Sequence, residues 1–278
     1  MRALNDLPYE DWIDAYNMYK PVMIQLFGGE PTLRCKETLK FMDYVYKENR
    51  ISEQYPTKIS FASNGTVYVD YEEIPKEYRP YILNCFSLDG PERINDKARG
   101  KGNYQRTLDA IKRSISAGIP TSINSSCHSK DYLDNLEEYA EWIQYFYDLG
   151  VEYVRMQTIF YPYEEDNLIR SEETKQAITA LRNLDVVKKY KVEIKDRAVT
   201  CYIKGIYIKS NGDFSPKCAL MNFQLGNFRN WTLENTLLLN EFLIKNSGGC
   251  DDVPRKKIYQ YAKGLQLLNK TKGKTNET

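Results

Sequence analysis

Apolar positions along this chain change period repeatedly. They fall at helical spacing from Leu7 to Tyr19 and condense into a short run at Val22–Phe27. Helical spacing returns over Lys36–Asn49, where Leu39, Met42 and Tyr46 share one face. Short apolar runs then recur at Lys58–Ala62, Tyr81–Leu88, Ile119–Asn124 and Val151–Ile159. Between them lie helical stretches at Tyr104–Ala117, closed by Gly118, and Leu133–Leu149, closed by Gly150. A further helix is predicted over Ser171–Leu184, with Ser171 as its N-cap. Strands separated by helices predict βαβ units and a parallel sheet. Ligands of such sheets collect at the C-terminal strand ends, which here carry GGEP, SNGT, SLDG and NSS.

The pattern changes near Lys188. VEIKDRAVTCYIKGIYIKSNGDFSPKC reads as strands joined by a turn at Asn211-Gly212. The expected organisation is an α/β domain over 1–188, a smaller module over 189–254, and a basic, partly disordered tail over 255–278.

Composition narrows the function classes. A net charge of +1 with 28% charged residues makes no electrostatic case for a nucleic-acid partner. No apolar run approaches the roughly 20 residues of a membrane span, and the opening MRALNDLPYEDW lacks the apolar centre of a signal peptide. The expectation is a cytoplasmic protein with no membrane partner. Six cysteines, at 35, 85, 127, 201, 218 and 250, are then free thiols or metal ligands rather than disulfides. None forms a CxxC pair, so a zinc ribbon is not expected. The single histidine, His128, excludes a histidine-rich metal site.

Each strand-end motif has two readings. Gly28-Gly29-Glu30-Pro31 is either a tight turn or bare backbone that meets a cationic ligand group, with Glu30 adding negative charge. Ser63-Asn64-Gly65 is either a turn or a polar strand end. Ser87 and Asp89 alternate, which would point both to one side and suit a ribose diol. Arg99 is either a surface residue or a partner for a carboxylate.

In order, IQLFGGEPTL, ISFASNGT, NCFSLDGPERINDKARGKGNYQRTLDAIKRSISAGIP and YVRMQTI resemble the core of radical S-adenosylmethionine (radical SAM) enzymes. The resemblance covers roughly residues 20–227 and is strongest to the branch that matures peptides and proteins and bears a SPASM or twitch extension. It implies a partial (β/α)6 TIM-like barrel that holds S-adenosylmethionine and a [4Fe-4S] cluster. It also implies a 5′-deoxyadenosyl radical, a peptide or protein substrate, and a reductase as electron donor. Position by position, Gly28, Gly29 and Glu30 match the seat of the methionyl amino group. Ser63 and Asn64 match polar positions near the cofactor, and Ser87 and Asp89 the ribose side. Arg99 matches the arginine that pairs with the cofactor carboxylate. Asn124 matches a residue lining the same mouth, and Met156–Ile159 the segment beside the adenine.

The sequence departs from the family pattern in its cysteines. Cluster thiolates in the family come from CxxxCxxC ahead of GGEP, whereas the first cysteine here is Cys35 and no three share that spacing. The first barrel strand is likewise expected to be missing. Two expectations compete: an N-terminally truncated enzyme, the favoured one, or a catalytically inactive peptide-binding relative. In either case the chain as it stands is expected not to cleave S-adenosylmethionine reductively. Downstream, Cys201, Gly212, Cys218 and Leu225-Gly226-Asn227 resemble the start of an auxiliary-cluster domain, with Cys250 as the remaining thiol. Cys35, Cys85 and Cys127 are expected to be packing thiols, with a substrate contact at Cys127-His128 as the alternative.

Overall fold

A computed structural model describes residues 7–26, 29–49, 57–158, 172–190, 192–195, 206–209, 211–215, 225–246 and 260–265. Gly28, Cys201, Cys218 and Cys250 lie outside the described residues, as does Ile159 at the end of the adenine-side segment.

The chain divides into two compact units, residues 21–196 and residues 1–20 with 197–278. The first unit is a six-stranded, all-parallel sheet whose spatial order follows the sequence. Its strands are β1 (Met23–Leu26), β2 (Lys58–Ser63), β3 (Ile82–Ser87), β4 (Thr121–Cys127), β5 (Tyr153–Thr158) and β6 (Val192–Lys195). Parallel neighbours need long crossovers, and most of these are helical. Helix α2 (Cys35–Asn49) links β1 to β2, and α3 (Glu92–Arg99) with α4 (Asn103–Ser116) links β3 to β4. Helices α5 (Ser129–Leu133) and α6 (Leu136–Leu149) link β4 to β5. Helices α7 (Glu172–Asn183) and α8 (Asp185–Lys189) lie between β5 and β6. The β2–β3 connection carries only short 3-10 turns, at Tyr71–Glu73 and Arg79–Tyr81.

One layer of side chains glues these helices to the sheet. Phe41 and Val45 of α2, Ile111 of α4, and Ile143 and Phe146 of α6 are buried with Phe61, Phe86, Ile123, Val154 and Met156 of the strands. Each such side chain contributes about 1.5–3 kcal/mol on burial, so this layer dominates the unit's stability.

The other sheet face is polar. Asn84 turns toward the helices, where its Nδ2 donates to Ser114 Oγ at 2.8 Å. Cys85 and Ser87 lie one and three residues further along the strand, and alternation puts both on the opposite face. Ser125 and Cys127 likewise meet helix residues Tyr132 and Tyr139, which leaves Ser122, Asn124 and Ser126 on the polar face. Arg155, Gln157 and Glu193 join them there: Arg155 pairs with Glu193 at 2.6 Å, and Gln157 Nε2 donates to Ser126 Oγ at 2.6 Å.

Two expectations are corrected. Five strands are predicted and six are present, because Val192–Lys195 pairs in parallel with β5 instead of joining the later hairpins. V-E-I-K alternates in a way that fits either partner, and only long-range pairing decides. Leu133–Leu149 is two helices, broken between Leu133 and Leu136 where Asn135 Nδ2 bonds back to Asp131 O at 2.7 Å.

The second unit contains α1 (Tyr9–Tyr19), the antiparallel pair β7 (Tyr207–Ile208) and β8 (Phe214–Ser215), and α9 (Leu233–Asn246). The hairpin turns at Asn211-Gly212, as its sequence predicts. Tyr19, Phe214, Phe228, Trp231 and Leu239 form its core, and Phe214 stacks on Trp231 at 4.9 Å.

Candidate functional site

The sequence-predicted residues gather at the C-terminal strand ends but do two different jobs. At the β1 and β2 ends the side chains are consumed in holding the two loops themselves. Gly29 has φ +59, and among the described residues, its chain neighbours aside, no atom lies within 4 Å of where its Cβ would be. Glu30 follows and bridges two loops. Its Oε1 accepts from Thr32 N at 3.2 Å and Thr32 Oγ1 at 2.5 Å, and its Oε2 accepts from Asn64 N at 2.8 Å. Ser63 Oγ accepts from Gly65 N at 3.0 Å. Asn64 Oδ1 accepts from Thr66 N at 2.9 Å and Thr66 Oγ1 at 2.6 Å. The Asn64 carbonyl receives Thr107 Oγ1 at 2.8 Å. Gly65, at φ +70, lets the loop touch α4, since a Cβ there would lie 2.9 Å from Thr107 Cα.

At the β3 end Asp89 is held from every side. Strand β3 stops at Ser87, so the alternation that would align Ser87 with Asp89 does not extend that far. The Asp89 carboxylate receives Arg99 Nε at 2.6 Å and Arg99 Nη2 at 2.9 Å, a two-pronged contact, and also Ser126 N at 3.0 Å. Its N–H donates to Asn95 Oδ1 at 3.1 Å. Its carbonyl accepts from Ser125 Oγ at 2.7 Å, Cys127 Sγ at 2.8 Å and Tyr139 OH at 3.0 Å. Arg99 therefore does pair with a carboxylate, and that carboxylate is the chain's own. The Asp89 side chain is 5% exposed and the Arg99 side chain 28%, so the pair is sunk at one end and open at the other.

Asn95 and Asp96 shape the loop that brings Arg99 back. Asn95 is fully buried and bonds Asn103 Oδ1 at 3.0 Å. Asp96 accepts from Tyr104 N at 2.8 Å and Gly102 N at 2.5 Å. Partial burial opposes the charge on Asp96, but these backbone N–H groups outweigh it and hold the carboxyl below its usual range. Asn95, Asp96 and Tyr139 lie outside the strand-end motifs, and Ser125 lies within NSS, where the sequence assigns it no role. The contacts of Ser125 and Tyr139 with Asp89 span 36 and 50 residues, so no local signal marks that role.

Three groups remain open for a ligand. Arg99 Nη1 makes no protein hydrogen bond among the described residues, and neither does the Ser87 hydroxyl. Asn124 Oδ1 is buried without a partner. A buried acceptor left empty costs about 1–3 kcal/mol, which a ligand N–H or O–H would relieve. Ser87 and Asn124 face each other in the β3–β4 register, and Leu88 N donates to Asn124 O at 3.0 Å, so these two share one rim; Arg99 joins it through the Asp89 carboxylate, which also receives Ser126 N. A guanidinium edge, a hydroxyl and an amide acceptor on one rim suit a ligand carrying both a carboxylate and polar hydrogens.

Metal binding is a separate matter. Among the described residues no three of His, Cys, Asp and Glu come together to hold a metal. Cys35 opens α2, Cys85 lies in β3 and Cys127 in β4. Cys127 faces the helices, so it does not reach the rim as a substrate contact. Burial pushes its thiol up to about 12.

Residues 6–143 match the family model described as Radical SAM superfamily. The chain carries a radical SAM domain. It is 25% identical over 140 residues to the mycofactocin maturase MftC of Mycolicibacterium smegmatis, covering 50% of this chain and 34% of MftC. An uncharacterized protein of Methanothermobacter thermautotrophicus is 29% identical over 112 residues, covering 38% of this chain and 40% of that one. The matched stretches thus span well under half of these relatives. Among solved structures, anSMEcpe with bound AdoMet and the Cp18Cys peptide matches 92% of this chain and 86% of its own, with a TM-score of 0.59 and 16% identity. Streptococcus suis SuiB bound to the precursor peptide SuiA matches 77% of this chain and 53% of its own, with a TM-score of 0.56 and 15% identity. These likenesses support the α/β fold of the radical SAM domain. The family implies S-adenosylmethionine and a [4Fe-4S] cluster; the rim of Ser87, Asn124 and Arg99 fits the first, and the described residues offer no site for the second.

Proposed function

We propose that the β3–β4 rim binds S-adenosylmethionine as part of a peptide- or protein-modifying radical SAM protein. The observation that carries this reading is the Arg99 guanidinium, locked on Asp89 through two nitrogens with its Nη1 edge left open. In this reading Arg99 receives the methionyl carboxylate. Ser87 and Asn124 meet the ribose and polar hydrogens, and the open backbone at Gly29, with Gly28, receives the amino group. Glu30, Ser63, Asn64 and Asp89 support that surface from behind. Bound S-adenosylmethionine and a reduced cluster would together supply a 5′-deoxyadenosyl radical. These residues bind and orient the sulfonium compound, and the chain contains no CxxxCxxC to hold the cluster. The SPASM or twitch assignment of the second unit, with Cys201, Cys218 and Cys250 as auxiliary-cluster thiolates, rests on sequence resemblance. A precursor-peptide substrate is supported by the likeness to MftC, a maturase, and to SuiB in its complex with the precursor peptide SuiA.

Calorimetric titration of the full chain with S-adenosylmethionine tests the binding claim. Saturable binding that weakens at least tenfold in Arg99→Ala supports it. No binding by the unmodified chain sinks it.

A further inference from the structure

Tyr139 is buried, belongs to no strand end and matches no quoted motif, yet it meets the turn that carries Asp89 in two ways. Its ring occupies the space beside Gly90. A Cβ on Gly90, whose φ is +151, would lie 2.5 Å from both Cε1 and the hydroxyl of Tyr139. Its hydroxyl also lies 3.0 Å from the Asp89 carbonyl and 3.1 Å from Cys127 Sγ. One hydroxyl proton cannot serve both fully, so it is shared. Ser125 adds a second O–H on the same carbonyl at 2.7 Å and is itself 2.9 Å from the Tyr132 hydroxyl, which reaches Gln157 O at 3.1 Å. A carbonyl has two lone pairs, and this one meets three donors.

Ordinary turn formation does not need this arrangement. The Asp89 N–H is already capped by Asn95, and the carboxylate already has Arg99 and Ser126. Clamping the carbonyl as well fixes the backbone rotation at Asp89 and so the direction in which its Cα–Cβ bond launches the carboxylate, whose plane Arg99 and Ser126 then hold. Because Arg99 holds that carboxylate through two nitrogens, the plane of its guanidinium follows.

We propose that Tyr139 and Ser125 are positioning residues which, through the Asp89 carbonyl, set the angle at which Arg99 presents its open edge to a ligand carboxylate. The proposal rests on the reading of this rim as an S-adenosylmethionine site and adds to it a source of carboxylate specificity. Neither residue touches the ligand. Their loss therefore weakens recognition of the carboxylate and leaves contacts with the rest of the molecule unchanged.

Two probes separate these contributions: S-adenosylmethionine and its decarboxylated analogue, which keeps the sulfonium, ribose and adenine. Each is titrated into the full-length chain, into Tyr139→Phe and into Ser125→Ala, with near-ultraviolet circular dichroism checking that each variant is folded. The expected result is about a five- to tenfold loss of affinity for S-adenosylmethionine in each variant, with affinity for the decarboxylated analogue within twofold. Equal losses for both probes, or no loss for either, overturn the positioning role while leaving the site reading intact. If only one variant folds, its ratio of the two affinities decides. If the unmodified chain binds neither probe, the site reading fails and this proposal fails with it.

Discussion

The ends of β2 and β3 are neighbours in one sheet and both carry polar, glycine-containing motifs, yet they solve different problems. The Ser63 and Asn64 side chains bond their own loop, two residues away, while Glu30 and Thr107 hold the Asn64 backbone from 34 and 43 residues away. At Ser87-Leu88-Asp89-Gly90 the Asp89 carboxylate bonds Arg99 and Ser126, 10 and 37 positions distant, and among the described residues the Ser87 hydroxyl and Arg99 Nη1 stay open. A side chain that bonds its own loop is spent on the turn. A side chain held by distant elements is fixed by the whole domain and can keep a polar group aimed at a ligand. Similar polarity in the sequence therefore conceals different roles.

The contrast can be broken most forcefully at Gly90. Gly90→Ala drives a methyl into the Tyr139 ring in a backbone conformation that L-residues resist, and is expected to cost about 3 kcal/mol in denaturant unfolding. Asp89→Asn keeps the size but replaces the charge-assisted pair with Arg99. The expected loss is about 2 kcal/mol of stability, together with weaker binding of S-adenosylmethionine. At the β2 end, Ser63→Ala and Asn64→Ala each remove a local turn contact. Each is expected to cost about 1 kcal/mol or less and to change ligand affinity less than threefold. A larger change in affinity from either variant would mean that the β2 end touches ligand directly.

The last effect is one of pH. Burial raises the folded Cys127 thiol to about 12, whereas an unfolded thiol ionises near about 8.5. The folded state then holds a proton that the unfolded state has lost. Stability from this group is complete below about pH 8.5 and falls as pH rises toward 12. Cys35 and Cys85 are shifted the same way, chiefly by burial. Between pH 8.5 and 10 the unfolding free energy of Cys127→Ala should therefore decline less steeply than that of the unmodified chain, by up to about 1.4 kcal/mol per pH unit. Parallel slopes would show that Cys127 is less shielded from water than its contacts with Tyr139 and Asp89 suggest.

The sequence by itself determined the order of strands and helices, the hairpin at Asn211-Gly212 and the strand ends where polar residues collect. These follow from local periodicity and turn chemistry, which act over a few residues. It also left Arg99 as either a surface residue or a partner for a carboxylate. Tertiary structure decided which carboxylate, because Asp89 passes the end of β3 and turns to meet α3. It placed Val192–Lys195 on the sheet edge, where pairing with β5 settled an ambiguous alternation. It recruited Ser125 and Tyr139 to the Asp89 carbonyl across contacts that no local spacing encodes. Finally, it separated residues consumed in their own turns from the few left open. Whether a polar side chain is free depends on every neighbour that could satisfy it, and those neighbours are assembled only when the helices pack onto the sheet.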